Sequence, residues 1–275
     1  LNLILHGGLG PASLAGQPRL EERRRALRRI WEEGRAFLEG HSAVETVVHV
    51  VRLLEDDPLF NAGTGSKLQQ DGRARLSAAL MDGPRRRFSG VINVENVRHP
   101  IEIAHLLQEE PFRVLAAEGA GQFARSRGMA EYDPVTAERR AEWQRGVAGI
   151  SGTVGACALD REGRLAAATS TGGRGGEWPG RVSDSATVAG NYATEEAAVS
   201  CTGVGEDIVD EALAVRLALL GPRLAGEMAG VMEAYRRTGR LFGAIALDAR
   251  GVASVGWTEG TMMYCYRSGP DWVTG

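Results

Sequence analysis

Lysine is all but absent from this sequence. Lys67 is the only one, and every other fixed positive charge is an arginine. Any chemistry that needs a lysine, such as a Schiff base or a phosphate-binding loop ending in Gly-Lys, is therefore confined to one position. Cysteine is nearly as scarce: Cys157, Cys201 and Cys265 form an odd, scattered set with no metal-ligand spacing. They suggest a reducing cytoplasm. No apolar run approaches the ~20 residues a membrane-spanning helix needs. The opening Leu1-Asn2-Leu3-Ile4-Leu5-His6 is too short for a secretion signal and lacks a basic start. With a formal net charge of −3, nothing in the charge balance attracts nucleic acid or an anionic membrane. No Gly-x-x-x-x-Gly-Lys-Ser/Thr loop is present, and Gly119-Ala120-Gly121 follows a helical pattern instead of a strand.

What is present is organised. Leu1 to His6 reads as a buried strand entering a Gly7-Gly8 turn. Arg19 to Leu38 has apolar residues at helical spacing, and Ser42-Ala43-Val44-Glu45 is a capping box opening a second helix towards Leu54. Strands are predicted at Leu76 to Met81 and Phe88 to Val94, and helices near Pro100, Pro111 and Pro134. Arg145 to Ser151, Arg-Gly-Val-Ala-Gly-Ile-Ser, reads as a small, flexible sequence and is the best candidate linker. Beyond it, Val154 to Asp160 and Leu165 to Thr169 form a hairpin. Its turn sequence is echoed at Ala246 to Gly251. Two helices, roughly Glu206 to Leu220 and Leu224 to Arg237, separate the two hairpins. Antiparallel sheets with helices on their outer faces fit this order better than alternating βαβ units.

The chemistry concentrates between Gly152 and Gly205. Thr153 follows Gly152 at the end of the linker. If that peptide bond were cut, the new α-amino group, with a pKa of about 8, could serve as base for the threonine's own hydroxyl. Taken alone, Thr153 favours the plainer reading of a β-branched residue starting a strand. Thr169-Ser170-Thr171 end the returning strand and would lie beside it. Arg181 and Asp184 could hold the carboxylate and ammonium of an amino-acid-like substrate, or simply pair on the surface. Thr202-Gly203 could donate to a developing oxyanion, or form a plain strand-to-helix turn with Glu206 in the first helical turn.

These islands, in this order, resemble the plant-type asparaginase/isoaspartyl aminopeptidase family of N-terminal-nucleophile (Ntn) hydrolases. The likeness runs through His6-Gly7-Gly8, Leu53 to Glu55, Pro58 to Gly63, Met81-Asp82-Gly83, Gly152 to Ala156 and Leu165 to Gly173. It continues in Gly180-Arg181-Val182, Asp184-Ser185, Ser200 to Gly203, Gly205-Glu206 and Thr258-Glu259-Gly260. The resemblance implies an α+β fold, a four-layer αββα sandwich of two antiparallel sheets. Residues 1–275 would form one domain, processed by autocatalysis between Gly152 and Thr153 into 1–152 and 153–275.

By position, Thr153 would be nucleophile and base, Thr171 would tune its hydroxyl, and Arg181 and Asp184 would bind the substrate's α-carboxylate and α-amine. Thr202 and Gly203 would form the oxyanion hole, with Asn61 approaching from the N-terminal part. The implied substrates are β-aspartyl dipeptides and L-asparagine, without a catalytic cofactor. A structural sodium ion would sit on the backbone carbonyls of Leu54, Glu55, Asp57, Phe60, Ala62 and Thr64. The assembly would be a dimer of processed αβ heterodimers.

Some positions depart from the pattern: Ser183 replaces a glycine, Ser77 an aspartate, and Arg174 to Trp178 a Met- and Lys-containing segment. An arginine usual after Glu206 is missing, and the linker is short. Three other readings remain. A glycosylasparaginase would usually be exported and disulfide-bonded. A taspase-like endopeptidase would need a site open to long chains. A non-catalytic amino-acid-binding protein would remain one uncut chain.

Overall fold

The computed structural model describes residues 1–146 and 152–275. Strand β1 (Asn2–Gly10) is the spine of an eight-stranded sheet. With β2 (Leu76–Asp82), β3 (Arg87–Val94), β4 (Val114–Ala116), β5 (Val154–Leu159), β6 (Leu165–Thr171), β11 (Thr261–Ser268) and β12 (Asp271–Thr274), it gives the order β12-β11-β1-β5-β6-β2-β3-β4. A four-stranded sheet, β10-β9-β8-β7, is built from β7 (Asn191–Ala193), β8 (Ala197–Gly203), β9 (Phe242–Asp248) and β10 (Ala253–Trp257).

Period-two alternation decides what each face touches. Leu3 and Leu5 of β1, Ala156 and Ala158 of β5, and Ala166 and Ala168 of β6 face outward. They pack on α1 (Pro18–Phe37), α2 (Ala43–Asp56) and α3 (Pro100–Leu106), through Leu27, Val47, Val51, Leu54 and Ile101. The intervening Ile4, Cys157, Leu165 and Ala167 face inward and meet Ala198, Ile245 and Leu247 of the second sheet. That sheet's outer residues, Val199, Cys201, Ala244 and Ala246, are covered by α6 (Gly205–Glu211), α7 (Leu213–Ala218) and α8 (Leu224–Arg236). Helix, sheet, sheet, helix: the αββα sandwich is present.

Particular expectations hold with sequence-level causes. Ser42 and Glu45 form the reciprocal capping box that starts α2. The two echoed hairpin turns have one cause. Asp160 accepts from the backbone N–H groups of Glu162 and Arg164 and from the Arg164 side chain, while Asp248 does the same with Arg250 and Val252. In each turn a glycine, Gly163 or Gly251, takes the left-handed conformation next to the aspartate's loop.

Other expectations need correction. No helix starts at Pro111: the chain there runs into β4, and α4 (Ala117–Ser126) follows. Near Pro134 the helix begins only at Ala137 as α5 (Ala137–Gln144), because Thr136 caps it by accepting from Arg139 N–H. The single helix drawn from Glu206 to Leu220 is two, broken by Ala212 in a left-handed conformation. The larger sheet is antiparallel except at its edge, where β4 pairs parallel with β3. The expected linker falls largely on residues 147–151, outside the described residues.

Candidate active site

Thr153 sits at the mouth of β5, 3% exposed, immediately after Gly152. Because β5 and β6 are antiparallel neighbours, Thr171 at the end of β6 lies beside it. The Thr153 hydroxyl donates to Thr171 Oγ1 at 3.1 Å, and Gly173 N–H donates to the same oxygen at 3.2 Å. Of the three residues that end β6, only Thr171 is placed this way. Ser170 points to the opposite face, where its hydroxyl donates to Glu55 at 2.6 Å. Thr169 joins a buried polar chain that stitches the sheets together: His6 Nε2 to Ser200 Oγ (2.9 Å), Ser200 Oγ to Thr169 Oγ1 (2.6 Å), and Thr169 Oγ1 to Asn191 Oδ1 (3.1 Å). Burial pushes the His6 ring down to about 3, against an opposing pull from the Thr153 backbone, so this imidazole is neutral.

The approach to Gly152 explains the second glycine after His6, whereas Gly7 makes room for Phe60. Gly8 has φ +108°, in a register shift of β1, and a Cβ there would lie 2.8 Å from Gly152 Cα and 2.9 Å from its carbonyl carbon. From the other side, a Cβ on Gly152 would come 2.8 Å from Asn61 Cβ. Asn61 itself is a clasp. Its Nδ2 donates to Gly173 O (2.6 Å), its Oδ1 accepts from Lys67 N–H (2.9 Å), and its carbonyl accepts from Gly172 N–H.

A cavity of about 260 Å³ opens onto Thr153 and Thr171, with Arg181, Asp184 and Gly203 in its walls. The structure thus brings five expected residues to one space. Thr202 does not line it among the described residues. Its Oγ1 accepts from Leu9 N–H at 3.2 Å, which directs the hydroxyl towards β1. Gly203 has φ +140°, and a Cβ there would fall 2.5 Å from Phe242 Cα, so only glycine fits.

Arg181 and Asp184 do not pair with each other on the surface, the plainer alternative to a substrate clamp. Arg181 makes a bidentate ion pair with Glu206, Nε to Oε1 at 2.7 Å and Nη2 to Oε2 at 2.8 Å. That contact holds the guanidinium above its ordinary range and Glu206 below its own. Asp184 is buried in the cavity wall, and its Oδ2 has no hydrogen-bond partner among the described residues. Burial pushes its carboxyl up to about 7, although Arg181 nearby pulls the other way. Gly205 is small for this cluster, since a Cβ would sit 2.9 Å from Asp184 Oδ1 and 3.0 Å from Arg181 Nη2.

Sequence reasoning missed two supports. Glu206 was read only as a carboxylate in a first helical turn, and nothing local shows that an arginine 25 positions away needs it. Asn93 donates to the carbonyls of Gly180 and Arg181, and its N–H donates to Ser77 Oγ, one of the departures noted above. Ser183, another departure, lines the cavity. Trp178, at the altered rim, is 75% exposed.

The loop after α2 closes on itself. Gly63 has φ +53° and a Cβ there would lie 2.4 Å from the Glu55 carbonyl oxygen, which accepts from Thr64 N–H at 2.7 Å. The Asp57 carbonyl accepts from Phe60 N–H. Glu55 is wholly buried, which drives its carboxyl well above the usual range. Among the described residues, no group of three or more His, Cys, Asp and Glu side chains could hold a metal.

Two stacked sheets between helix layers, with a buried threonine opening a central strand onto a polar cavity, define an Ntn-hydrolase. The chain belongs to the asparaginase family. The family's model, described as asparaginase, matches residues 1–150 and 146–273. An isoaspartyl peptidase/L-asparaginase from Nostoc sp. is 46% identical over 292 residues, covering 97% of this chain and 92% of that relative. One of the same description from Synechocystis sp. is 44% identical, covering 97% and 88%. A plant-type L-asparaginase from Pyrococcus abyssi is 37% identical, covering 96% and 94%.

Proposed function

We propose that this protein is an isoaspartyl peptidase/L-asparaginase, a threonine amidohydrolase that activates itself by cutting the bond between Gly152 and Thr153. The observation that carries the reading is the Thr153 hydroxyl, held by Thr171 at the wall of a cavity that also presents Arg181 and Asp184. In maturation the hydroxyl attacks the Gly152 carbonyl, the C–N bond breaks, and water hydrolyses the resulting ester. The freed amine then takes the Thr153 proton during turnover. As that proton leaves, the Thr171 hydroxyl can reverse its role and donate to the developing alkoxide. Gly203 and Thr202 are the proposed oxyanion hole. Thr202 accepts from Leu9, so its own hydroxyl proton is left to donate.

Arg181 takes the substrate α-carboxylate and Asp184 its ammonium. Glu206 already holds one edge of the Arg181 fork, so the substrate meets the remaining Nη1 edge or displaces Glu206. The closed loop at Leu54, Glu55, Asp57, Phe60, Ala62 and Thr64 fits a structural sodium ion. Its donors are backbone carbonyls suited to a hard cation, and a carbonyl that accepts one N–H keeps a second lone pair. The active form is a dimer of αβ heterodimers. Three buried, unpaired thiols favour the cytoplasm.

Pure, folded protein should yield two fragments, 1–152 and 153–275, without added protease. Only the intact mass after prolonged incubation would defeat the proposal and favour a non-catalytic binder. Gly8→Ala should slow fragment formation about tenfold or more, because its Cβ would push on the Gly152 carbonyl carbon. Only ~1.4 kcal/mol of misplacement is needed for that factor. A circular dichroism spectrum matching the parent, with cleavage at the parental rate, would contradict it.

The cavity also sets a pH dependence. Asp184, raised to about 7, is neutral below that pH and cannot pair with an ammonium. kcat/KM should therefore rise with pH through about 7, and the Thr153 amine adds a second rise near its own pKa. Asp184→Asn should remove the lower transition and keep the upper one. A profile with both limbs intact in that variant would assign the lower limb elsewhere.

A further inference from the structure

A second, larger cavity, of about 540 Å³, opens beside Gly152 and shares no lining residue with the Thr153 cavity among the described residues. Arg19, Arg23, Lys67 and Arg139 all reach its wall, together with Glu142. Two of these cations are matched. Arg19 pairs with Glu138 at 2.6 Å and Arg139 with Glu142 at 2.7 Å. The other two are not. Arg23 donates to the Leu59 carbonyl and towards Met263 Sδ, and the Lys67 ammonium has no hydrogen bond or ion pair among the described residues. Burial, and then Arg139, lowers Lys67 to about 8, while burial, and then Arg19 and Arg139, lowers Arg23 to about 10, although Glu142 pulls both the other way. A half-buried cluster with two unmatched positive charges is set up to receive an anion.

The position of Gly152 on the same wall suggests which anion. Resting on the cleavage reading above, we infer that this cavity is a carboxylate site whose ligand is the chain's own Gly152 terminus, created when the bond to Thr153 is cut. In the last step of maturation a water oxygen adds to the Gly152 carbonyl carbon and the C–Oγ bond breaks. Thr153 regains its hydroxyl with one water proton, and the other proton goes to solvent, leaving a carboxylate. Asn61 ties the pieces together, because a Cβ on Gly152 would lie 2.8 Å from its own and its Oδ1 accepts from the backbone N–H of Lys67. Drawn towards Lys67 and Arg23, the new terminus leaves the Thr153 amine and its substrate cavity, which opposes re-esterification and self-inhibition.

Lys67 makes the test selective, since it is the only lysine in the chain. Fully cleaved protein treated with a water-soluble carbodiimide at pH ~7.5 should form an amide between Lys67 Nζ and the Gly152 carboxylate, because a lysine near pKa 8 has an appreciable neutral fraction. Peptide mapping should then show a branched peptide, one water lighter than its parts, joining Lys67 to the Gly152 terminus. Lys67→Arg should abolish it, and Arg23→Met should lower its yield at least about threefold. Cleaved protein in which Lys67 stays free or couples only to Glu142 would overturn the inference, as would a yield unchanged in Arg23→Met. An uncut chain, seen directly by mass, would instead remove the cleavage reading on which it rests.

Discussion

Thr153→Ala should remain a single chain indefinitely and show no measurable turnover. In the proposed mechanism one hydroxyl serves as nucleophile for both processing and hydrolysis, and deleting such a group from an enzyme typically costs roughly 10⁴-fold or more. The neighbouring Thr171→Ala should behave differently. Its oxygen accepts from Thr153 at 3.1 Å and from Gly173 N–H, so its loss removes an orienting contact and leaves the nucleophile in place. A hydrogen bond of about 1–3 kcal/mol corresponds to roughly a 5- to 150-fold loss in kcat, with processing slowed but still detectable. Electrophoresis and initial rates on β-aspartyl-leucine separate the two. Turnover in purified Thr153→Ala, or complete and equal loss in both variants, would contradict the division of roles.

Arg181→Lys should raise KM for β-aspartyl dipeptides about 10- to 100-fold, on the scale of one charge-assisted hydrogen bond. The reason is geometric. The guanidinium spends Nε and Nη2 on Glu206 and still has a third nitrogen for a substrate carboxylate, whereas an ammonium is a point charge that cannot span both. With Lys at this position, Glu206 would compete with the substrate for the same charge. The α-carboxylate lies away from the bond being broken, so kcat should change less than KM. An unchanged KM would remove Arg181 from substrate binding while leaving the Thr153 chemistry intact. The same clamp predicts that α-linked aspartyl peptides, whose α-carboxylate is tied up in the bond, react poorly.

What lay in the sequence was everything encoded by local pattern or by short, ordered islands. Period-two alternation in β1, β5 and β6, the capping box at Ser42, and the two aspartate-turn hairpins are local. Each is set by residues within a few positions of one another. The candidate residues Thr153, Thr171, Arg181, Asp184 and Gly203 were also legible, because each sits in an island of uncommon composition. The errors were local patterns outweighed by their surroundings. Proline at 111 and 134 is as compatible with an extended entry as with a first helical turn; after Pro111 the pairing of β4 with β3 kept the chain extended, and after Pro134 the Thr136 cap fixed the later helix start.

The tertiary structure alone decided the relations between distant groups. Only the pairing of β5 with β6 sets Thr153 against Thr171 and turns Ser170 away to Glu55. Only the return of α6 over the cavity gives Arg181 its Glu206 partner and buries Asp184 enough to raise its carboxyl to about 7. Gly8 against Gly152, and the cations gathered from α1, the loop after α2 and α5 beside it, are likewise consequences of chain crossings. Such effects depend on separation and burial in space. A linear pattern carries residue identity and spacing along the chain, but neither of those quantities.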